Sequence, residues 1–84
     1  MSSNFDFVES LLAYVRKKAK NFLKEYNLDN AYDQIEQSAN ENSASLSDYI
    51  NKLLNETVSK VSEVTNKDWN TIREDFNSHY LSEN

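Results

Sequence analysis

Apolar residues along this 84-residue chain recur at helical spacing rather than in the alternation of a strand. Phe5, Val8, Leu12, Val15, Ala19, Phe22 and Tyr26 advance by alternating steps of 3 and 4, which draws one stripe down a helix of 3.6 residues per turn. Leu11 and Leu23 widen that stripe. The spacing predicts a first helix over residues 4–26. A thinner set, Leu28, Ala31, Tyr32, Ile35 and Ala39, predicts a second over 29–41. Leu46, Ile50, Leu53, Leu54, Thr57, Val58, Val61 and Val64 predict a third over 46–64, and Trp69, Ile72, Phe76, Tyr80 and Leu81 a fourth over 66–81. The polar run from Asn40 to Ser45 breaks the pattern and reads as the main loop. The third and fourth helices meet at Thr65 with almost no linker, so they form either a sharp corner or one bent helix.

The stops and starts agree with the periodicity. Ser3-Asn4-Phe5-Asp6, Ser45-Leu46-Ser47-Asp48 and Thr65-Asn66-Lys67-Asp68 each place a hydroxyl three residues before an aspartate. The hydroxyl can accept an orphan N–H of the first turn, and the aspartate suits the positive end of the helix dipole. Asn27 is the expected stop of the first helix, because Asn tolerates a left-handed cap better than most residues with a side chain. The second half of the chain also echoes the first at an offset of 42: Asp6, Phe7, Val8, Leu11 and Leu12 match Asp48, Tyr49, Ile50, Leu53 and Leu54. The echo fades after one and a half helices. Two similarly capped amphipathic helices and a duplicated helical hairpin both account for it. Together these patterns predict a single all-α domain over residues 1–84, a small antiparallel bundle of three to four helices.

Composition narrows what such a bundle can do. The chain has no glycine, proline or cysteine. Glycine-dependent phosphate loops and nucleophile elbows are therefore excluded, as are cysteine-based metal, redox and disulfide chemistries. Leu, Ile, Val and Phe number 20 of 84, enough for a modest core. His79 is the one histidine, and near a helix end it suits the dipole without further chemistry. With no second histidine and no cysteine, the usual bases, nucleophiles and transition-metal ligands are nearly absent. Asp29, Asp33 and Glu36 fall at i, i+4 and i+7 and so share one helix face. They lack the ligand density and the glycine turn of a calcium loop. The expectation is a protein that is not an enzyme and carries no cofactor and no metal.

Charge then decides among binding functions. The net charge is −5, which argues against nucleic acid as a partner. No run approaches the roughly 18 apolar residues of a membrane span, and the first residues lack the charged and apolar parts of an export signal. A cytoplasmic protein is expected. Residues 5–26 carry Arg16, Lys17, Lys18, Lys20 and Lys24 against Asp6, Glu9 and Glu25, whereas residues 27–44 carry four acids and no base. Antiparallel neighbours would complement each other in this way. Phe5, Phe22, Trp69 and Phe76 sit on their stripes as core. Phe7, Tyr14 and Tyr49 lie off or at the edge of theirs, where an exposed aromatic beside charge suits a partner interface. The expected function is therefore non-catalytic: binding another protein, or itself as a homodimer, through a helical face, as an inhibitor, immunity or adaptor protein does. The first choice of surface is Phe7, Tyr14, Lys17 and Lys20, and the second is Asp29, Asp33 and Glu36. The alternative is a peripheral membrane-surface protein that lays amphipathic helix 4–26 on anionic lipid.

Overall fold

The structure, a computed structural model, describes residues 3–78, with the side chains of residues 3–5 outside the described set. All regular structure among the described residues is helical: α1 (Ser3–Glu25), α2 (Tyr32–Glu41), α3 (Leu46–Thr65) and α4 (Trp69–Phe76), with one 3-10 turn, Asp29–Ala31, before α2. The expected small all-α bundle is what forms. The pairings give its topology. Lys20 faces Tyr32 and Arg16 faces Glu36, so α2 runs back along α1. Ser38 meets Glu56 and the Asn42 carbonyl accepts from Lys52, so α3 reverses again. Trp69 meets Ser59, while Phe76 lies among Asn51, Leu54 and Asn55, so α4 returns along α3.

Local chemistry sets most of the boundaries. α1 ends as the sequence predicts: Asn27 is left-handed at φ 59°, and its N–H donates to the Lys24 carbonyl. The second helix begins later than expected. Residues 29–31 make a tighter 3-10 turn, and α-helical geometry starts at Tyr32. α3 begins on the expected signal. The Ser45 hydroxyl accepts from the Asp48 N–H at 3.1 Å, and the Asp48 carboxylate accepts from the Ala44 N–H at 3.0 Å. This is a variant of the capping box: aspartate stands where glutamate is usual and reaches back to the residue before the cap.

The third start signal works differently from its prediction. Thr65 does not cap α4, because its hydroxyl donates back to the Val61 carbonyl at 2.7 Å. Asn66 turns left-handed at φ 60° and ends α3. Asp68 then caps α4 itself, accepting from the N–H groups of Asn70 and Thr71. The junction is a corner between two helices, and α4 starts at Trp69 rather than residue 66. The expected continuation to residue 81, with His79, Tyr80 and Leu81, lies outside the described residues.

One cluster of buried side chains joins all four helices: Val15, Ala19, Phe22 and Leu23 of α1, Ile35 and Ala39 of α2, Leu53, Val58 and Val61 of α3, Ile72 and Phe76 of α4. Phe22 and Phe76 meet at 4.8 Å between ring centroids. Thr57 is buried among them, and its hydroxyl is satisfied by the Leu53 carbonyl one turn back at 2.8 Å. Trp69, expected as core, is half-buried; its indole N–H donates to Ser59 at 3.0 Å at the corner's rim. Val64, expected on the α3 stripe, is 53% exposed.

Candidate functional site

The start of α1 is its most exposed part. Leu46, the first residue of α3, and Asn40, near the end of α2, share a groove with Leu12 of α1. Leu11 and Leu12 pack against the core cluster. Phe7, one turn earlier, is 67% exposed. Val8 and Leu11 are half-buried. Tyr14, two turns beyond Phe7, is 41% exposed, with the Lys18 ammonium 5.3 Å from its ring centroid.

Lys17 and Lys20 are also exposed, but they look elsewhere. Successive helical residues turn by about 100°, so Lys20 lies roughly 120° around the axis from Tyr14. Its ammonium sits 5.7 Å from the ring of Tyr32 on α2. The four residues of the first-choice surface thus divide in two. Phe7 and Tyr14 line one edge of α1, and Lys17 with Lys20 occupy its outer face.

The acidic trio divides as well. Asp29 stands in the 3-10 turn and Asp33 is exposed in the first turn of α2. Glu36 turns inward, half-buried. The Tyr49 hydroxyl donates to Glu36 Oε2 at 2.8 Å, and Arg16 Nε donates to the same hydroxyl at 2.9 Å. Arg16 Nη2 is 3.9 Å from Glu36 Oε2. One phenol thus ties α1, α2 and α3 together, with a cation feeding it and a carboxylate draining it.

Tyr49 is therefore not the exposed aromatic that its stripe position suggested. It is 5% exposed, because α3 lies between α1 and α2 and is covered on both sides. The brace shows in the acidities. The Tyr49 hydroxyl raises the Arg16 pKa further above its ordinary value, against the opposing effect of desolvation. Burial raises Tyr49, and it pushes Tyr32 up to about 12, with help from Tyr49 and Glu36. Sequence reasoning missed this brace. Its one signal was that Arg16 follows Leu12 by four and precedes Ala19 by three, so it borders the stripe, unlike Lys17 or Lys24.

No protein-family model, curated protein or solved structure matches this chain. Its chemistry has to be read from its own surface.

The groove beside the brace, of about 370 Å³, is lined by Leu12, Arg16, Ser43, Ala44, Leu46 and Tyr49. It is shallow and mixed in polarity. Its one charged wall, Arg16, is already committed to Tyr49 and Glu36. Among the described residues no cluster of three or more His, Asp or Glu is placed to hold a metal ion, and no helix is long and apolar enough to cross a membrane. Elsewhere the polar groups serve structure. Tyr26 donates to Asp75 at 3.3 Å across α1 and α4, and Lys52 pairs with Asp48 at 3.2 Å one turn away.

Proposed function

We propose that this chain is a small non-catalytic binding protein of the cytoplasm that engages another protein, or a second copy of itself, through α1. An inhibitor, immunity or adaptor protein works in this way. The observation that carries the reading is Phe7: a large aromatic side chain, two-thirds exposed, near the start of a long helix whose Leu11 and Leu12 already pack against the core. Exposed aromatics on a rigid element are the residue type that anchors partner interfaces. Scattered apolar exposure alone would be ordinary, but Phe7 sits with half-buried Val8 and Leu11 on one short segment. Charged residues border the segment and supply steering rather than chemistry.

The test is capture from the native host, using the full chain and its Phe7→Ala, Tyr14→Ala double variant as paired baits. The reading expects a protein that the wild type retains and the variant loses, while Asp33→Asn leaves capture unchanged. Identical retention by both baits, with loss on Asp33→Asn, would move the binding surface to the acidic side.

A further inference from the structure

The outer face of α1, opposite the core, carries a charge pattern that becomes its own complement on reversal. Asp6, Glu9, Ala13, Lys17 and Lys20 follow one another by steps of 3, 4, 4 and 3, so they form a single stripe. All five are exposed, as is Lys24, which continues the stripe by a further step of 4 and has no acid opposite it in the sequence. The acids stand seven and four residues before Ala13, and the bases four and seven residues after it. Acid early and base late also suits the helix dipole, which accounts for the signs. It does not account for their alignment on one solvent-facing stripe, equally spaced about an alanine.

We infer that this face pairs with a second copy of the chain, antiparallel, about a two-fold axis at Ala13. The inference rests on the reading of α1 as the binding element and adds its occupant. Antiparallel helices bring residues equally far on either side of the axis to the same level. Glu9 then meets the partner's Lys17, and Asp6 meets the partner's Lys20. Each contact occurs twice, as a self-complementary two-fold interface requires. Ala13 is small enough to let the two axes approach to about 8–10 Å. A parallel pairing would set acid against acid and base against base.

One helix face buries less than the roughly 800 Å² per partner of a standard interface, so the dimer is weak and depends on its charges. The Glu9–Lys17 contacts nearest the axis dominate. Lys20 already leans over the Tyr32 ring of its own chain, which leaves it less free to reach.

The experiment is sedimentation equilibrium of the purified full chain at about 0.01 M and about 1 M salt, where the screening length falls from about 30 Å to about 3 Å. Wild type is expected to dimerise at low salt and dissociate at high salt. Glu9→Lys and Lys17→Glu should each weaken the low-salt dimer by about tenfold or more, the equivalent of 1.4 kcal/mol. The doubly swapped Glu9→Lys, Lys17→Glu chain keeps the wild-type net charge and should recover the dimer. Circular dichroism confirms that each variant is folded. A wild type that stays monomeric at low salt, or a double swap no better than either single, overturns the inference. Neither result touches the Phe7-dependent capture of a different protein, so the two readings fail separately.

Discussion

Residues 6–12 and 48–54 share a pattern, Asp-aromatic-β-branched-x-x-Leu-Leu, yet the bundle treats them in opposite ways. In α3, Tyr49 and Leu53 are buried, and Asp48 ties down the helix start through Ala44 and Ser45. In α1, Phe7 is two-thirds exposed and Leu11 half-buried. The two segments share that pattern, so the pattern itself does not make the difference. The difference lies in what runs beside them. Near its start α3 is flanked by α1 and by the returning end of α2. At the start of α1 the cover is incomplete: Leu11 and Leu12 pack against the core, while Phe7 is left in solvent. An apolar stripe states only that a helix can be covered; its neighbours decide whether it is.

Leu53 and Leu11 give the strongest way to break this comparison. Leu53→Ala removes a fully buried side chain at the meeting of the helices and should cost about 2–5 kcal/mol. Leu11→Ala should cost less than about half as much, because Leu11 is already partly in water. Urea unfolding followed by circular dichroism measures both. Equal losses would mean that the start of α1 is as well packed as α3, and the contrast would fall.

The aromatic pair sharpens the same point through a polar atom. Tyr49→Phe keeps the ring in the core but deletes the hydroxyl between Arg16 and Glu36. Arg16 and Glu36 are left 3.9 Å apart without their mediator. Hydrogen bonds to charged groups contribute about 1.5–3 kcal/mol, and the remaining direct attraction offsets part of the loss. A destabilisation of about 1–2 kcal/mol is expected. Arg16→Ala combined with Tyr49→Phe should cost less than the two single changes added, since both remove one network. Strict additivity would show that the three-helix brace does not act as a unit.

Much of this fold could be read from residue order, and the exceptions share one cause. Local rules sufficed where the deciding groups are local: the Asn27 stop, the Ser45–Asp48 start, the periodicity of α3. They faltered where a competitor stood within one turn. Thr65 had a carbonyl four residues back within reach and took it, leaving Asp68 to cap α4. They failed where the deciding group was remote. Nothing near Tyr49 announces Arg16, 33 residues earlier, or Glu36, 13 residues earlier. The candidate surface was half legible. Phe7 and Tyr14 are exposed, as their places on the stripe's edge suggest. That Glu36 leaves the acidic face, and that Lys20 leans over Tyr32, depended on how α2 sits against α1, whereas the separation of Lys20 from Tyr14 follows from helical spacing alone.

The same burial contrast should appear at alkaline pH. Tyr32 holds its proton to about 12, above an ordinary value of about 10, because ionising it would place a charge in the core near Tyr49 and Glu36. Tyr49 is shifted in the same direction. The folded chain thus binds more protons than the unfolded one between these values. That contribution to stability is fully present below about pH 10 and is lost as pH rises toward about 12. Thermal melts at stepped pH should fall through this window, and Tyr32→Phe should flatten the decline. An undiminished decline in Tyr32→Phe would move the effect to the remaining tyrosines.

The smallest expected effect is at Phe7, and its smallness carries information. A phenylalanine buried as deeply as Tyr49 would cost about 3–5 kcal/mol on truncation to alanine. At two-thirds exposure, with solvent already around most of the ring, Phe7→Ala should change stability by no more than about 0.5 kcal/mol. The same variant is expected to lose the partner that the wild type captures. Stability untouched and binding lost would separate the two echoing segments by role, since Tyr49→Phe should do the reverse. A Phe7→Ala loss well above 1 kcal/mol would place the ring against something in the folded chain. The start of α1 would then be part of the core, and its apolar stripe would no longer mark a surface for a partner.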